Sequence, residues 1–218
     1  MYARRFKRAL DIVVASVLLV LLAPLLLVGL ALAAIASRGN PIFLHERPGK
    51  NGQPFRVIKL RTMRPPTDAV GRSLSNVERI STLGNWLRRL SIDEIPQLLN
   101  VLRGELSLVG PRPLEMRYLP AYTKEQMRRH DVLPGITGLA QVSGRNALSW
   151  EEKFRLDVTY VDTLSFALDA KILLLTISKT LIGSGVNQSG THTVVPFVPA
   201  ADAEAETADA NVNGRQAS

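Results

Sequence analysis

An aspartate and a glutamate stand side by side at Asp93-Glu94, and further along the same segment Arg112 is fenced by Pro111 and Pro113. Two carboxylates at one end and a stiffened guanidinium at the other suit a metal-bound phosphate ester. Magnesium binds through one or two carboxylates plus substrate phosphates, and arginine's planar fork fits phosphate oxygens. The acids open a helical pattern carried by Ile95, Leu98, Leu99 and Leu102; Gly104 closes it, and an apolar, strand-like stretch leads to Gly110-Pro-Arg-Pro113. A plainer account exists for the same residues. Acids in a first helical turn oppose the helix dipole for about 0.3–1 kcal/mol each, and Ser91-x-x-Glu94 has the form of a capping box. Pro96 bears on that assignment: with Ser91 as cap it forfeits a bond, with Asp93 as cap it falls harmlessly in the first turn.

Other residues could join this chemistry. Pro134 to Arg145 contains three glycines, which permit close approach of backbone to a ligand, and ends on Arg145. Lys59, Arg61 and Arg88 are further cations, equally explicable as surface charge. The chain of 218 residues has no cysteine, which excludes disulfides, thiolate nucleophiles and cysteine-bound metals. His45, His130 and His192 are too far apart in sequence for a local metal motif.

These groups need a scaffold, and the most conspicuous part of it is the apolar run Ile12–Ile35. As a helix it would reach roughly 36 Å, enough for a ~30 Å hydrocarbon core, so length alone favours a transmembrane span. Pro24 interrupts the run, and both flanks are basic, from Arg4 to Arg8 and from Arg38 to Arg64. Cations are retained on the cytoplasmic side, which favours a bent hairpin entering and leaving by one leaflet. A cleaved signal peptide is a poorer match, because an ordinary apolar region there is only ~7–15 residues long.

Pro41 to Pro54 reads as a turn-rich connector and Phe55–Arg61 as a strand. Arg64 to Asn76 reads as a loop, and Leu83, Trp86, Leu87 and Leu90 keep helical spacing. Thr123-x-x-Gln126 and Ser149-x-x-Glu152 mark two helix starts. Asp169–Ile182 suits either a helix on a bilayer surface, with Lys171 and Lys179 reaching the headgroups, or a buried C-terminal helix. From Val198 the chain is polar and acidic, carrying four acids and one arginine, and reads as disordered. The net charge is +8, so the body is more basic still. Nucleic acid is disfavoured as a partner, since aromatics are few and not interleaved with the basic runs. The expected class is mainly α with a small β component (α+β). It comprises a re-entrant membrane hairpin over 1–37, a cytoplasmic-face catalytic domain over 38–197 and a tail over 198–218.

Several ordered motifs resemble the bacterial polyprenyl-phosphate phosphoglycosyl transferases of the small monotopic, PglC-like branch. They are Lys7-Arg8-x-x-Asp11, Pro24, Lys59-x-Arg61-Thr62-Met63, Ser91-x-Asp93-Glu94 and Val109-Gly-Pro-Arg-Pro113. Pro134-Gly-Ile-Thr-Gly138, Gln141-Val-Ser-Gly-Arg145, Asp157-x-x-Tyr160 and Asp169-x-Lys171 complete the set. The resemblance implies transfer of a phosphosugar from a UDP-sugar to undecaprenyl phosphate, releasing UMP, at the cytoplasmic face of the bacterial inner membrane. By the same resemblance Asp93 is the nucleophile, forming a covalent aspartyl-phosphosugar, and Glu94 holds Mg2+. Arg112 and Arg145 would cradle phosphate or nucleotide, with Lys59, Arg61 and Arg88 in support, and membrane lipids as further partners. A homodimer stays open. The family's Ser-Pro bend is Ala23-Pro24 here, so the bend rests on Pro24. An N-acetylated sugar such as di-N-acetylbacillosamine is the first expectation, and galactose or glucose 1-phosphate for exopolysaccharide the second. The alternative from another class is a basic, membrane-tethered binding module without catalysis.

Overall fold

The computed structural model describes residues 2, 6–67, 71–144, 147–182 and 197. Two apolar helices come first, α1 (Lys7–Leu21) and α2 (Ala23–Ser37), bent by 66° at Leu22. Pro24 is the second residue of α2, where its missing N–H falls among the free donors of a first turn. The break therefore costs little there, and α2 restarts the helix in a new direction. No single described helix is long and apolar enough to cross a membrane, whereas the bent pair passes that test together.

The apolar residues of the pair that are fully buried are small, while leucines such as Leu18 and Leu30 pack partly inward and other large residues stay outside. Ala15, Gly29, Ala33 and Ala36 are buried against the body, while Val17, Val20, Leu21, Leu27, Val28 and Ile35 are exposed. A Cβ on Gly29 would come within 2.8 Å of Ile92, so glycine permits the close packing of α2 on the segment carrying the acid pair. Polar side chains seat α1. Arg8 donates to the carbonyls of Val101 and Leu102, Asp11 accepts from the Ser107 hydroxyl and the Leu108 N–H, and Lys7 pairs with Asp169 at 2.6 Å.

An antiparallel hairpin follows, β1 (Ile42–Pro48) and β2 (Pro54–Leu60), turned at Asn51 and Gly52 with positive φ. The connector expected over Pro41–Pro54 is thus half strand. Its Phe43, Leu44 and His45 had no clean alternation to reveal it, and pairing with β2 decides the matter. Short helices α3 (Asn76–Arg79) and α4 (Thr82–Arg89) lead to a 3₁₀ turn at Ile92–Glu94 and to α5 (Gln97–Arg103). On α4 only Leu87 of the apolar stripe is buried; Leu83, Trp86 and Leu90 face outward.

Strand β3 (Ser107–Val109) pairs in parallel with β4 (Gly135–Thr137). The capping boxes at Thr123 and Ser149 are both formed and start α6 (Lys124–Met127) and α8 (Trp150–Thr163); α7 (Leu139–Ser143) lies between. The last helix, α9 (Phe166–Ile182), buries Ile172 and Asp169 and exposes Leu174 and Ile177. Lys179 donates to the Val142 carbonyl instead of extending outward, so the expectation of a headgroup contact fails for that residue. Phe197 lies 5.2–5.9 Å from the rings of Tyr118, Tyr122, Trp150 and Phe154. The expected tail, from Val198 onward, lies outside the described residues.

One buried cluster joins Ala15 to Leu98, Val101, Leu106, Val109, Tyr160 and Ile172; a second joins Ala33 to Leu60, Leu87 and Ile92. The glycines of the Pro134–Arg145 loop serve this packing. A Cβ on Gly135 would lie 2.1 Å from the Gly110 nitrogen, and one on Gly138 would lie 2.2 Å from the Gly110 oxygen. The close backbone approach expected toward a ligand is therefore made to the Gly110-Pro-Arg-Pro113 loop. Gly135→Ala should destabilise the fold by about 1–3 kcal/mol through overpacking, read as a lower denaturation midpoint with unchanged slope.

Candidate active site

The acid pair does not begin a regular helix. Ser91 takes a left-handed conformation (φ 56°) and makes no side-chain cap, Ile92–Glu94 form a single 3₁₀ turn, and α5 starts only after Pro96. The capping-box account of Ser91 and Glu94 is thereby overturned. Pro96, unable to continue a helix from upstream, itself stands at the N-cap. The turn displays both carboxylates at the junction of α4, α5 and β2.

Their surroundings differ sharply. Glu94 Oε1 accepts 2.7 Å bonds from both Lys59 Nζ and Arg112 Nη2, with 21% of its side chain exposed. Burial opposes its charge, but Arg112 and Lys59 outweigh burial and hold the carboxyl well below the usual range. Asp93 is 8% exposed and, among the described residues, accepts no hydrogen bond. Burial, with the neighbouring Glu94 charge, pushes its pKa up to about 6, against weaker pulls from Lys59, Arg88 and Arg112. An under-solvated carboxylate without hydrogen bonds is a strong nucleophile once ionised.

Lys59, Glu94 and Arg112 thus meet directly. Arg88 is close enough to act on Asp93 electrostatically, and its Nε donates to the Thr62 hydroxyl at 2.7 Å. Arg61 turns elsewhere, to the Ile42 carbonyl and the face of Phe43 at 5.7 Å. Arg145 lies outside the described residues.

Arg112 owes its place to more than two prolines. The Gly110 N–H donates to Thr137 and the Gly135 N–H to the Pro111 carbonyl. Arg129, almost wholly buried, donates at 2.7 Å to the Arg112 carbonyl and is gripped in turn by Asp157 at 2.6 Å. The sequence reading missed Thr62, Asn100 and Arg129 as supporting residues. Asn100 carried a faint signal, an amide within an apolar helical stretch; the Arg129–Asp157 pairing spans loop and helix and leaves no local trace.

For Mg2+ the donors are few, since no group of three acidic or histidine side chains forms a cation cluster among the described residues. Glu94, expected to hold the ion, would supply one carboxylate, and water and substrate phosphate would have to supply the remaining ligands, the usual habit of magnesium.

The profile described as bacterial sugar transferase matches residues 2–183. The chain is 50% identical over 197 residues to the uncharacterized sugar transferase EpsL of Bacillus subtilis (strain 168), covering 90% of this chain and 97% of that protein. It is 38% identical to the exopolysaccharide production protein ExoY of Rhizobium meliloti (strain 1021), over 82% of this chain and 87% of that one. It is 42% identical to the UDP-glucose:undecaprenyl-phosphate glucose-1-phosphate transferase of Caulobacter vibrioides, over 80% of this chain and 69% of that one.

A raised carboxyl pKa has a stability consequence. Between the unfolded value near 3.8 and the folded value of about 6 the native state binds more protons, so ionising Asp93 destabilises it as pH rises through that window. Asp93→Asn should therefore raise stability above pH 6 by on the order of 1–3 kcal/mol, and the gain should vanish below about pH 4. Thermal melts of both proteins across that range check it.

Proposed function

The chain belongs to the bacterial sugar transferase family, and from that premise we propose that it moves a hexose 1-phosphate from a UDP-sugar to undecaprenyl phosphate. The single observation that carries this reading is the asymmetric acid pair: Glu94 neutralised by Lys59 and Arg112, and Asp93 beside it accepting no hydrogen bond from the described residues. In the first step an oxygen of the Asp93 carboxylate attacks the sugar-bearing phosphorus. The bond to the bridging oxygen breaks, and UMP leaves with that electron pair. In the second step the phosphate oxygen of undecaprenyl phosphate attacks the same phosphorus, forming the diphosphate and returning Asp93 as carboxylate. Lys59 and Arg112 stabilise the charge that builds on the transferring phosphoryl group, provided they exchange part of their hold on Glu94 for it. Held by Glu94 and the diphosphate, Mg2+ would supply further charge neutralisation, so that the Asp93 anion can meet the phosphate anion.

The outward apolar face of α1 and α2 supports a re-entrant, one-leaflet seat in the cytoplasmic membrane. Val17, Val20, Leu21, Leu27, Val28 and Ile35 stay exposed on the outer face, a larger apolar patch than a soluble surface usually carries. Leu83 and Trp86 on α4, with Leu90 just after it, add exposed apolar surface to the body. Such seating would bring the acid pair to headgroup depth, where a lipid phosphate lies. The relatives' names favour glucose over the N-acetylated sugar that the resemblance suggested, with galactose next.

The test is UMP release by the detergent-solubilised chain with undecaprenyl phosphate, Mg2+ and a panel of UDP-sugars. UDP-glucose should be turned over, and Asp93→Asn should lose at least about 10³-fold while remaining folded. The rate should rise with pH through about 6 and level off above it, as the nucleophile ionises. Folded protein silent toward every sugar, beside an active control enzyme, refutes the reading. Mg2+ alone should bind weakly, and tightly only with UDP-sugar present, as read by calorimetry.

A further inference from the structure

We propose that Asn100 is a positioning residue for this site: its side-chain amide stands in for a missing strand and holds Lys59 against Glu94. The assignment rests on the transferase reading above.

Strand β2 has β1 on one side only. On the open side the backbone N–H of Ile58 and carbonyl of Arg56 would need water or another strand. Asn100 supplies both partners. Its Oδ1 accepts from the Ile58 N–H at 3.0 Å, and its Nδ2 donates to the Arg56 carbonyl at 2.8 Å. The second Nδ2 hydrogen goes to Glu105 at 2.7 Å, so both amide hydrogens are used, and Asn100 is 0% exposed. Its main chain is committed too, since its carbonyl accepts from the Glu105 and Leu106 N–H groups where Gly104 ends α5. One residue therefore ties three pieces together: the edge of β2, the C-terminal turn of α5 and the start of the chain leading to β3.

Lys59 is the next residue on the clamped strand, and the acid turn immediately precedes the helix that bears the clamp. The distance from Lys59 Nζ to Glu94 Oε1 is set by how β2 sits on α5. Apart from packing, the described direct polar link between that strand and that helix is the Asn100 amide. A bidentate amide also fixes register, because it needs a donor and an acceptor two residues apart on one strand edge. Aspartate would offer only acceptors to the Arg56 carbonyl and to Glu105, and leucine would offer neither.

The test is a double-mutant cycle on the full-length chain in detergent, with UMP release measured at enzyme concentrations that keep slow variants readable. Asn100→Ala should lower kcat/KM by about tenfold or more in the parent, and by less than about twofold in a Lys59→Met background. Equal losses in both backgrounds would overturn the assignment and leave Asn100 a merely structural residue. Should Asn100→Ala fail to fold, Asn100→Ser, which keeps one donor and one acceptor, goes through the same cycle. Independently of turnover, hydrogen exchange at the Ile58 amide should speed by about tenfold in the folded variant, while the amides of Val57 and Lys59 stay protected by β1. Unchanged exchange at Ile58 would overturn the clamp. Wild-type protein silent toward every UDP-sugar refutes the transferase reading itself, an outcome distinct from additive losses in an active enzyme.

Discussion

Two adjacent carboxylates, mostly withdrawn from water, cannot both hold charge without help, and the architecture supplies that help to one of them. Glu94 receives Lys59 and Arg112 on a single oxygen, while Asp93 is left desolvated and without a hydrogen bond from the described residues. Each cation needs its own backbone held at the right place. The β1–β2 hairpin delivers Lys59, and the Gly110-Pro-Arg-Pro113 loop, pinned by β4 and by Arg129, delivers Arg112. The acid turn in turn rests on α2, whose Gly29 lets helix and turn approach closely. Removing both cations would leave Glu94 as an uncompensated, mostly buried charge, which is costlier than losing a surface pair.

The N-terminal helices belong to the same arrangement. Their inner face completes both buried clusters, and Arg8 and Asp11 satisfy backbone groups at the exit of α5 and along β3. A segment whose outer face suits lipid therefore also helps to build the active site. The apolar helices and the acid turn share one set of contacts, which would suit the proposed reaction between a water-borne nucleotide sugar and a lipid phosphate.

Much of the scaffold was legible in the residues. The run to Ile35 broken at Pro24, the strand from Phe55, the boxes at Thr123 and Ser149 and the Gly104 stop all correspond to observed features. Local rules cover them because the relevant groups lie within a few residues of one another. The readings that failed concern partners far away in sequence. Strand β1 exists because β2 pairs with it, Ser91 turns left-handed instead of capping, and Gly135 and Gly138 yield room to Gly110.

By itself the sequence determined the chemical inventory: an acid pair, a proline-fenced arginine, no cysteine, an apolar entry broken by proline and a family pattern running to Asp169-x-Lys171. Residue types and short spacings suffice for that, since they depend on covalent neighbours alone. Only the tertiary structure decided which acid is neutralised and which is left desolvated. That choice depends on where Lys59 and Arg112 arrive in space and on how much water each carboxylate keeps. It also separated Lys59, which reaches Glu94, from Arg61 two residues on, which turns to the Ile42 carbonyl. Electrostatic roles are set by distance and burial, and neither is written in the spacing of a chain.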